Sequence, residues 1–187
     1  MAARVREQFG WAQKARGTGR DVSIEVESIP VADLADRTEK IVGPPGIAKR
    51  FREALAECNG KRMDAIFKVF REIVAENTFN IPDMQQRVEQ GIRTALVILT
   101  EGVVVAPLDG IPKVLISKNP DGSRYVDVYF AGPIRAAGGS ATVLPLILGD
   151  YAQKLLGLER YKPTEDEVER YVEEVNIYQT EVVSRQL

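Results

Sequence analysis

Histidine is absent from the 187 residues, and cysteine occurs once, at Cys58. The first absence removes imidazole acid/base chemistry. Together the two exclude an intramolecular disulfide and leave no zinc site built from thiolate and imidazole ligands. An excess of charge of one sign is lacking as well: 25 Lys and Arg against 27 Asp and Glu leave a net charge of −2. Contact with a polyanion therefore has to come from a local patch. Long apolar runs are missing too. The segment from Met1 to Arg20 carries Arg4, Arg6, Glu7, Lys14, Arg16 and Arg20 and reads neither as a signal peptide nor as a membrane span. No membrane partner is expected, and a cytoplasmic location is the default. What is present, 44% hydrophobic and 28% charged residues, suits a globular chain of one domain or two small ones.

Charge is unevenly placed. Residues 111–162 hold Lys113, Lys118, Arg124, Arg135, Lys154, Arg160 and Lys162 against Asp121, Asp127, Asp150 and Glu159. From Pro163 onward the balance reverses, with Glu165, Asp166, Glu167, Glu169, Glu173, Glu174 and Glu181 against Arg170 and Arg185. The first stretch is where a polyanion could dock; the second reads as a solvated helix face.

Apolar spacing is helical as far as Glu101. Val5, Phe9, Ala12 and Ala15 make a first stripe, stopped by Gly17 and Gly19. After a polar-acidic connector, Leu34, Thr38, Ile41 and Val42 mark a second helix, broken by Gly43-Pro44-Pro45-Gly46. Ile47, Phe51, Ala54, Leu55 and Cys58 form the next stripe, closed by Asn59-Gly60, with Cys58 read as a small buried hydrophobe. Met63, Ile66, Phe67, Phe70, Ile73 and Val74 follow as core candidates. A further helix is expected to open at Pro82 and run to Gly102, apolar on nearly every side from Ala95 to Leu99 and hence central to the fold.

From Val103 the period becomes that of strands. Ile111–Lys118 and Arg124–Phe130 flank Asn119-Pro120-Asp121-Gly122, a hairpin pattern, and Val103–Ala106 is an open candidate for a third strand. Alternating polar residues predict one solvated or partner-facing sheet face, with Lys118, Arg124 and Asp127 on or near it. A glycine-rich turn, Ala131 to Ser140, then leads into an apolar helix ending at Gly157, with Ser140 as its expected N-cap. Glycines allow close backbone approach, free N–H groups at a helix start attract anions, and Arg135 adds a bidentate donor. The turn reads either as a phosphate site or as a structural strand-to-helix connection. It is neither a Walker-A loop nor a dinucleotide fingerprint. Pro145 should bend this helix or delay its start by a turn, and a last helix opens on a Thr164/Glu167 capping box.

Gly43-Pro44-Pro45-Gly46, the run from Arg93 to Gly102, Ala131-Gly132-Pro133-Ile134-Arg135 with Gly138-Gly139-Ser140-Ala141, and Leu156 to Pro163 occur together in this order. The set resembles the N-terminal region of the archaeal family-D DNA polymerase large subunit over most of the chain from about Asp21. Thr142 and Pro145 depart from the pattern, standing where a glutamine and a small polar residue are expected. The resemblance implies a place in a replicative two-subunit DNA polymerase, a nucleotidyltransferase. The magnesium-binding aspartates of that enzyme lie further along the large subunit, its proofreading nuclease in the small subunit, and its cysteine-rich zinc module beyond Leu187. It assigns no catalytic residue to this chain, so the chain alone should not polymerise DNA. Glu181 to Leu187 reads as if cut in mid-helix, an expectation of an engineered fragment or of a split or truncated gene product.

The expected fold class is α+β. A mainly helical part, residues 1–102, precedes residues 103–187, which hold the hairpin, the glycine-rich loop and two helices, packed as one N-terminal domain. The candidate phosphate or DNA contacts are Arg135, Gly138, Gly139, Ser140, Lys118 and Arg124, with no cofactor in the chain itself and magnesium for the whole polymerase. Expected partners are primer–template DNA, the remainder of the large subunit and the small subunit. Two alternatives stand beside DNA contact. One is a protein-interaction module for the small subunit or a homodimer. The other is a binder of small-molecule phosphates.

Overall fold

The computed structural model describes residues 2–19, 31–101, 109–132, 134 and 139–183. The expected strand Val103–Ala106 lies outside the described residues. The chain divides into two compact units, Met1–Ala32 and Asp33–Leu187. The first contains helix α1, Ala2–Arg16, which ends as expected at Gly17 and leaves Trp11 exposed.

In the second unit the order is α2 (Leu34–Ile41), α3 (Ile47–Glu57), α4 (Arg62–Val74), α5 (Met84–Leu99), β1 (Lys113–Lys118), β2 (Arg124–Tyr129), α6 (Ser140–Leu156) and α7 (Glu165–Tyr178). A short π turn, Gln179–Val183, follows. This is the expected α+β class, a helical body with a small antiparallel sheet. The core draws on both sides of residue 102: Ile66, Phe70 and Ile92 share it with Ile111, Val114 and Leu148.

Helix α5 is the hub. Ala95, Leu96, Val97 and Ile98 are consecutive, so at 3.6 residues per turn they point in every direction around the axis. None is more than 2% exposed. Contacts with α2, α4, α6 and β1 provide that cover. The helix starts later than the sequence predicts: Asp83 is the N-cap, accepting from the Gln86 amide at 3.2 Å, and Pro82 precedes the cap. It also stops before Gly102, because Glu101 turns left-handed at φ +55° and the Thr100 hydroxyl donates back to the Leu96 carbonyl at 2.7 Å. Met63, an expected core residue, is 43% exposed on the first turn of α4. Cys58 is half-buried against the core.

The glycine-proline turn between α2 and α3 is held onto α5 by side chains. Gln90 Nε2 donates to the Val42 carbonyl at 2.7 Å, and the Thr94 hydroxyl donates to that of Gly43 at 3.2 Å. Gly46 caps α3 at φ +89°, a backbone conformation suited to glycine. The Glu39 carboxylate accepts from the Ala48 amide at 2.8 Å and so places a negative charge at that helix start. Between α3 and α4, Arg50 makes a bidentate pair with the mostly buried Glu72, both contacts at 2.7 Å, and reaches Glu57 at 3.0 Å. Arg52 links α3 to the start of α2 through Asp33 at 2.9 Å and Asp36 at 2.8 Å.

The sheet has two antiparallel strands, paired from Lys113↔Tyr129 to Lys118↔Arg124. Both outer edges are met by helix side chains. On β1, the Val114 amide donates to Glu89 and that of Ile116 to Gln85, both at 3.1 Å, from residues one turn apart on α5. On β2, the Val126 amide donates to Gln153 of α6 at 3.1 Å, and the Arg124 carbonyl accepts from the Glu159 amide at 2.8 Å. The helices thus supply partners that an isolated hairpin would leave to water.

Two predictions follow from this packing. A Cβ placed on Gly91 of α5 would lie 2.9 Å from the buried ring of Phe70 and 3.1 Å from Val74, both on α4. Gly91→Val is expected to lower unfolding free energy by about 2–3 kcal/mol through overpacking, read from urea denaturation; an unchanged midpoint would mean the two helices can part without cost. The second concerns acid. Hydrogen bonding to Arg52 holds Asp33 down at about 2, and hydrogen bonding to Arg50 and Lys68 holds Glu57 down at about 2. The contribution of each is complete above its ordinary value, 3.8 or 4.5, and is lost as pH falls through about 2. Urea midpoints should therefore hold steady from neutral pH down to roughly pH 5 and fall below it, and the double variant Asp33→Asn, Glu57→Gln should fall less steeply.

Candidate nucleic-acid interface

The turn of the hairpin is tied by its own polar groups. The Asn119 amide donates to the Ser123 carbonyl at 2.8 Å, that of Gly122 to the Asn119 carbonyl at 2.9 Å, and Asp121 accepts from the Ser123 amide at 2.9 Å. Gly122 sits at φ +82°. Lys162 pairs with Asp121 at 2.7 Å, and Arg160 lies 3.8 Å from Asp150. Hydrogen bonding to Lys162 and Ser123 holds the Asp121 carboxyl well below the usual carboxylate range, and Asp121 in turn raises Lys162. These charges largely answer one another.

Lys118 and Arg124 differ. They face each other across the last rung of the ladder, both are exposed, and neither makes an ion pair with any described residue. Like charges directly opposite each other destabilise a strand pair. Their position also corrects an expectation. Side chains alternate along a strand, so Lys118 and Arg124 have the parity of Val114, Ile116, Val126 and Val128, whose side turns toward α6. Asp127 lies on the opposite face with Lys113, Leu115, Tyr125 and Tyr129. There Lys113 sits 4.2 Å from the centre of the Tyr129 ring, and Tyr125 packs on Tyr161 with ring centres 5.1 Å apart. The two cations extend the core-side row beyond the core and do not share the face of Asp127.

At the start of α6 the cap is Gly139, at φ +62°, with no side-chain bond, and Ser140 is the first helical residue instead of the expected N-cap. Glycine is there because the chain turns with positive φ. The amides of Thr142 and Val143 both donate to the Gly139 carbonyl at 3.1 Å. Those of Ser140 and Ala141 find no acceptor among the described residues, the usual orphan donors of a helix start. Thr142 donates its hydroxyl to the carbonyl of buried Ile134 at 2.9 Å. Pro145 is buried inside α6 without delaying its start. Arg135 and Gly138 lie outside the described residues.

The candidate residues form two places. Gly149 lies beside Val126 and Val128, Gln153 bonds Val126, and Glu159 bonds Arg124, so α6 runs antiparallel to β2. Lys118 and Arg124 are at the far end of that pairing from Gly139 and Ser140. The 17 residues of α6 put about 24 Å between its ends at 1.5 Å per residue.

Reasoning from sequence missed the buried polar residues that hold the tip in place. Asn119, 5% exposed, donates to the Arg160 carbonyl and accepts from the Lys162 amide, both at 2.8 Å. Read as a turn residue only, it is in fact the joint between hairpin and downstream segment. Gln153 had a signal available, as an amide at the helical spacing of the apolar residues Leu148, Gly149 and Ala152 that α6 buries. Among the described residues no three His, Cys, Asp or Glu side chains converge to bind a metal. No reaction step is assigned to this chain's residues. Among the described residues no helix is long and apolar enough to cross a membrane.

Fold and tip define a class: a helical α+β domain that carries a cationic hairpin end. Over residues 1–187 the chain matches the family described as DNA polymerase II large subunit DP2, N-terminal. It is 48% identical over 192 residues to the DNA polymerase II large subunit of Methanosphaera stadtmanae, covering 100% of this chain and 17% of the relative. To that of Methanococcus maripaludis it is 50% identical over 183 residues, 97% of this chain and 16% of the relative. To that of Pyrococcus abyssi it is 46% identical over 177 residues, 94% and 12% respectively. The chain belongs to this family, as the N-terminal region of the archaeal family-D large subunit. It spans about a sixth or less of these relatives' length.

Asn119→Ala should cost about 1–3 kcal/mol, the usual penalty for orphaning buried polar groups. Hydrogen exchange should show the Lys162 amide losing protection. Asn119→Asp, which keeps the acceptor for that amide, should fall between the two; equal protection in all three proteins would remove Asn119 from this role.

Proposed function

We propose that this chain is a non-catalytic scaffold within the large subunit of a replicative archaeal DNA polymerase, and that it contacts DNA phosphates at the hairpin tip and at the start of α6. The observation that carries the reading is the Lys118↔Arg124 pair, two exposed cations opposite each other with no counter-ion among the described residues. A phosphate between them would turn a repulsion into two charge-assisted contacts. The second contact comprises Gly139 and the Ser140 and Ala141 amides, to which the sequence adds Gly138 and Arg135. The two contacts lie toward opposite ends of α6, a helix about 24 Å long, or roughly seven base pairs of duplex at 3.4 Å per pair. DNA synthesis, its magnesium and the small subunit belong to the whole enzyme. Primer–template DNA and the remainder of the large subunit are the partners in this reading.

Fluorescence anisotropy with labelled primer–template across a salt series tests it. The unchanged chain should bind with a marked salt dependence. Lys118→Ala with Arg124→Ala should reduce the log–log salt slope by about 2, and Arg135→Ala should reduce it by about 1. Failure of the unchanged chain to bind at low salt would rule out direct DNA contact and leave a scaffold that touches only protein.

A further inference from the structure

Helix α7 is built in the manner of a docking element, yet it buries none of its residues. Val168, Tyr171, Val175 and Tyr178 recur at steps of three and four, the seam spacing of a helix that packs along a partner. Each of the four is at least half exposed. Val168, Tyr171 and Val175, with Val172 beside them, border a shallow apolar depression that reaches back to Tyr161 and Pro163. The start of the helix is held firmly. Thr164 and Glu167 form a full capping box, and the Tyr161 hydroxyl donates to the Glu167 carboxylate at 2.6 Å. A helix of this length gains little from propensity alone, and its usual stabiliser is the burial of an apolar face. That burial is missing from the described residues.

Charge decides what can supply it. Glu165, Asp166, Glu167, Glu169, Glu173 and Glu174 surround the seam, and the single cation of the helix, Arg170, lies 3.4 Å from Glu174. A second copy of α7 would bring two strongly acidic helices together, and DNA would meet the same repulsion. A groove with an apolar floor and a rim of Lys and Arg fits both seam and charge.

We infer that α7 docks into such a basic-rimmed apolar groove, carried by the part of the large subunit that follows the segment this chain matches. The inference rests on the family assignment and on the proposed place in the large subunit, and not on the DNA contact at the hairpin tip. The relatives supply ample chain for the occupant, since the match covers 17% or less of their length.

The test uses a hybrid large subunit, assembled with its small subunit, in which this chain replaces the matched segment of the Methanosphaera stadtmanae protein. A benzophenone photocrosslinker is placed at Tyr171 or Val175, with Glu169 on the acidic side as control. The expected product is a crosslink from Tyr171 and Val175, but not from Glu169, to a Lys- and Arg-flanked apolar segment of the same large subunit. Crosslinks to the small subunit, to a second large subunit or to DNA, or no crosslink at all, would overturn the inference. Tyr171→Asp with Val175→Asp gives an independent readout. The pair should lower the thermal midpoint of the hybrid by several degrees and leave that of the 187-residue chain alone unchanged; equal effects on both would place α7 in this chain's own fold. Neither change touches Lys118 or Arg124, so DNA binding by the isolated chain should persist. Failure of the docking and failure of the DNA contact are thereby separable.

Discussion

Burial around the full circumference of α5 is the constraint on which the remaining packing depends. A helix with an apolar stripe needs one neighbour, whereas four consecutive buried residues, Ala95 to Ile98, need neighbours on every side. Helices α2, α4 and α6 and strand β1 meet that need together, so elements from both halves of the sequence enter one core. The polar residues of α5 then determine where its neighbours sit. Gln90 and Thr94 fasten the glycine-proline turn, Gln85 and Glu89 fasten the edge of β1, and Arg93 donates to the Ile111 carbonyl at 2.9 Å.

A two-stranded hairpin is marginal by itself. Here one edge lies on α5 and the other on α6 and the Glu159 backbone, so the hairpin is braced on both edges. Asn119 then ties the turn to residues 160 and 162. This bracing keeps Lys118 and Arg124 in register against their mutual repulsion, a cost carried by the surrounding structure. The same fold places the start of α6 at the opposite end of the pairing, so the described candidate residues stand at two separated points of the domain.

Much of the fold was legible in the residues. The glycine and proline breaks at 17–19, 43–46 and 59–60 bound the first helices, Asn119 to Gly122 mark the hairpin turn, and the capping box at Thr164 starts α7. The errors have local physical causes. Pro82 suits a first helical turn, but Asp83 can accept from the Gln86 amide and takes the cap. Ser140 is a good cap residue, yet the backbone enters α6 with positive φ one position earlier, where glycine stands. The alternation of polar residues puts Lys118, Arg124 and Asp127 on or near one face, while the observed register separates the first two from the third.

By itself the sequence determined the helix and strand periods, the breaks between them, the lack of histidine and of cysteine pairs, and the ordered motifs that carry the family resemblance. These are properties of neighbouring residues and of residue type. Only the tertiary structure decided that the core takes residues from both halves of the chain and that Asn119 and Gln153 are buried partners of distant backbone. It also decided that the candidate phosphate contacts stand in two places, and that the apolar seam of α7 is left uncovered by the described residues. Each of these depends on which surfaces meet across long stretches of chain, and local propensity and spacing hold no information on that.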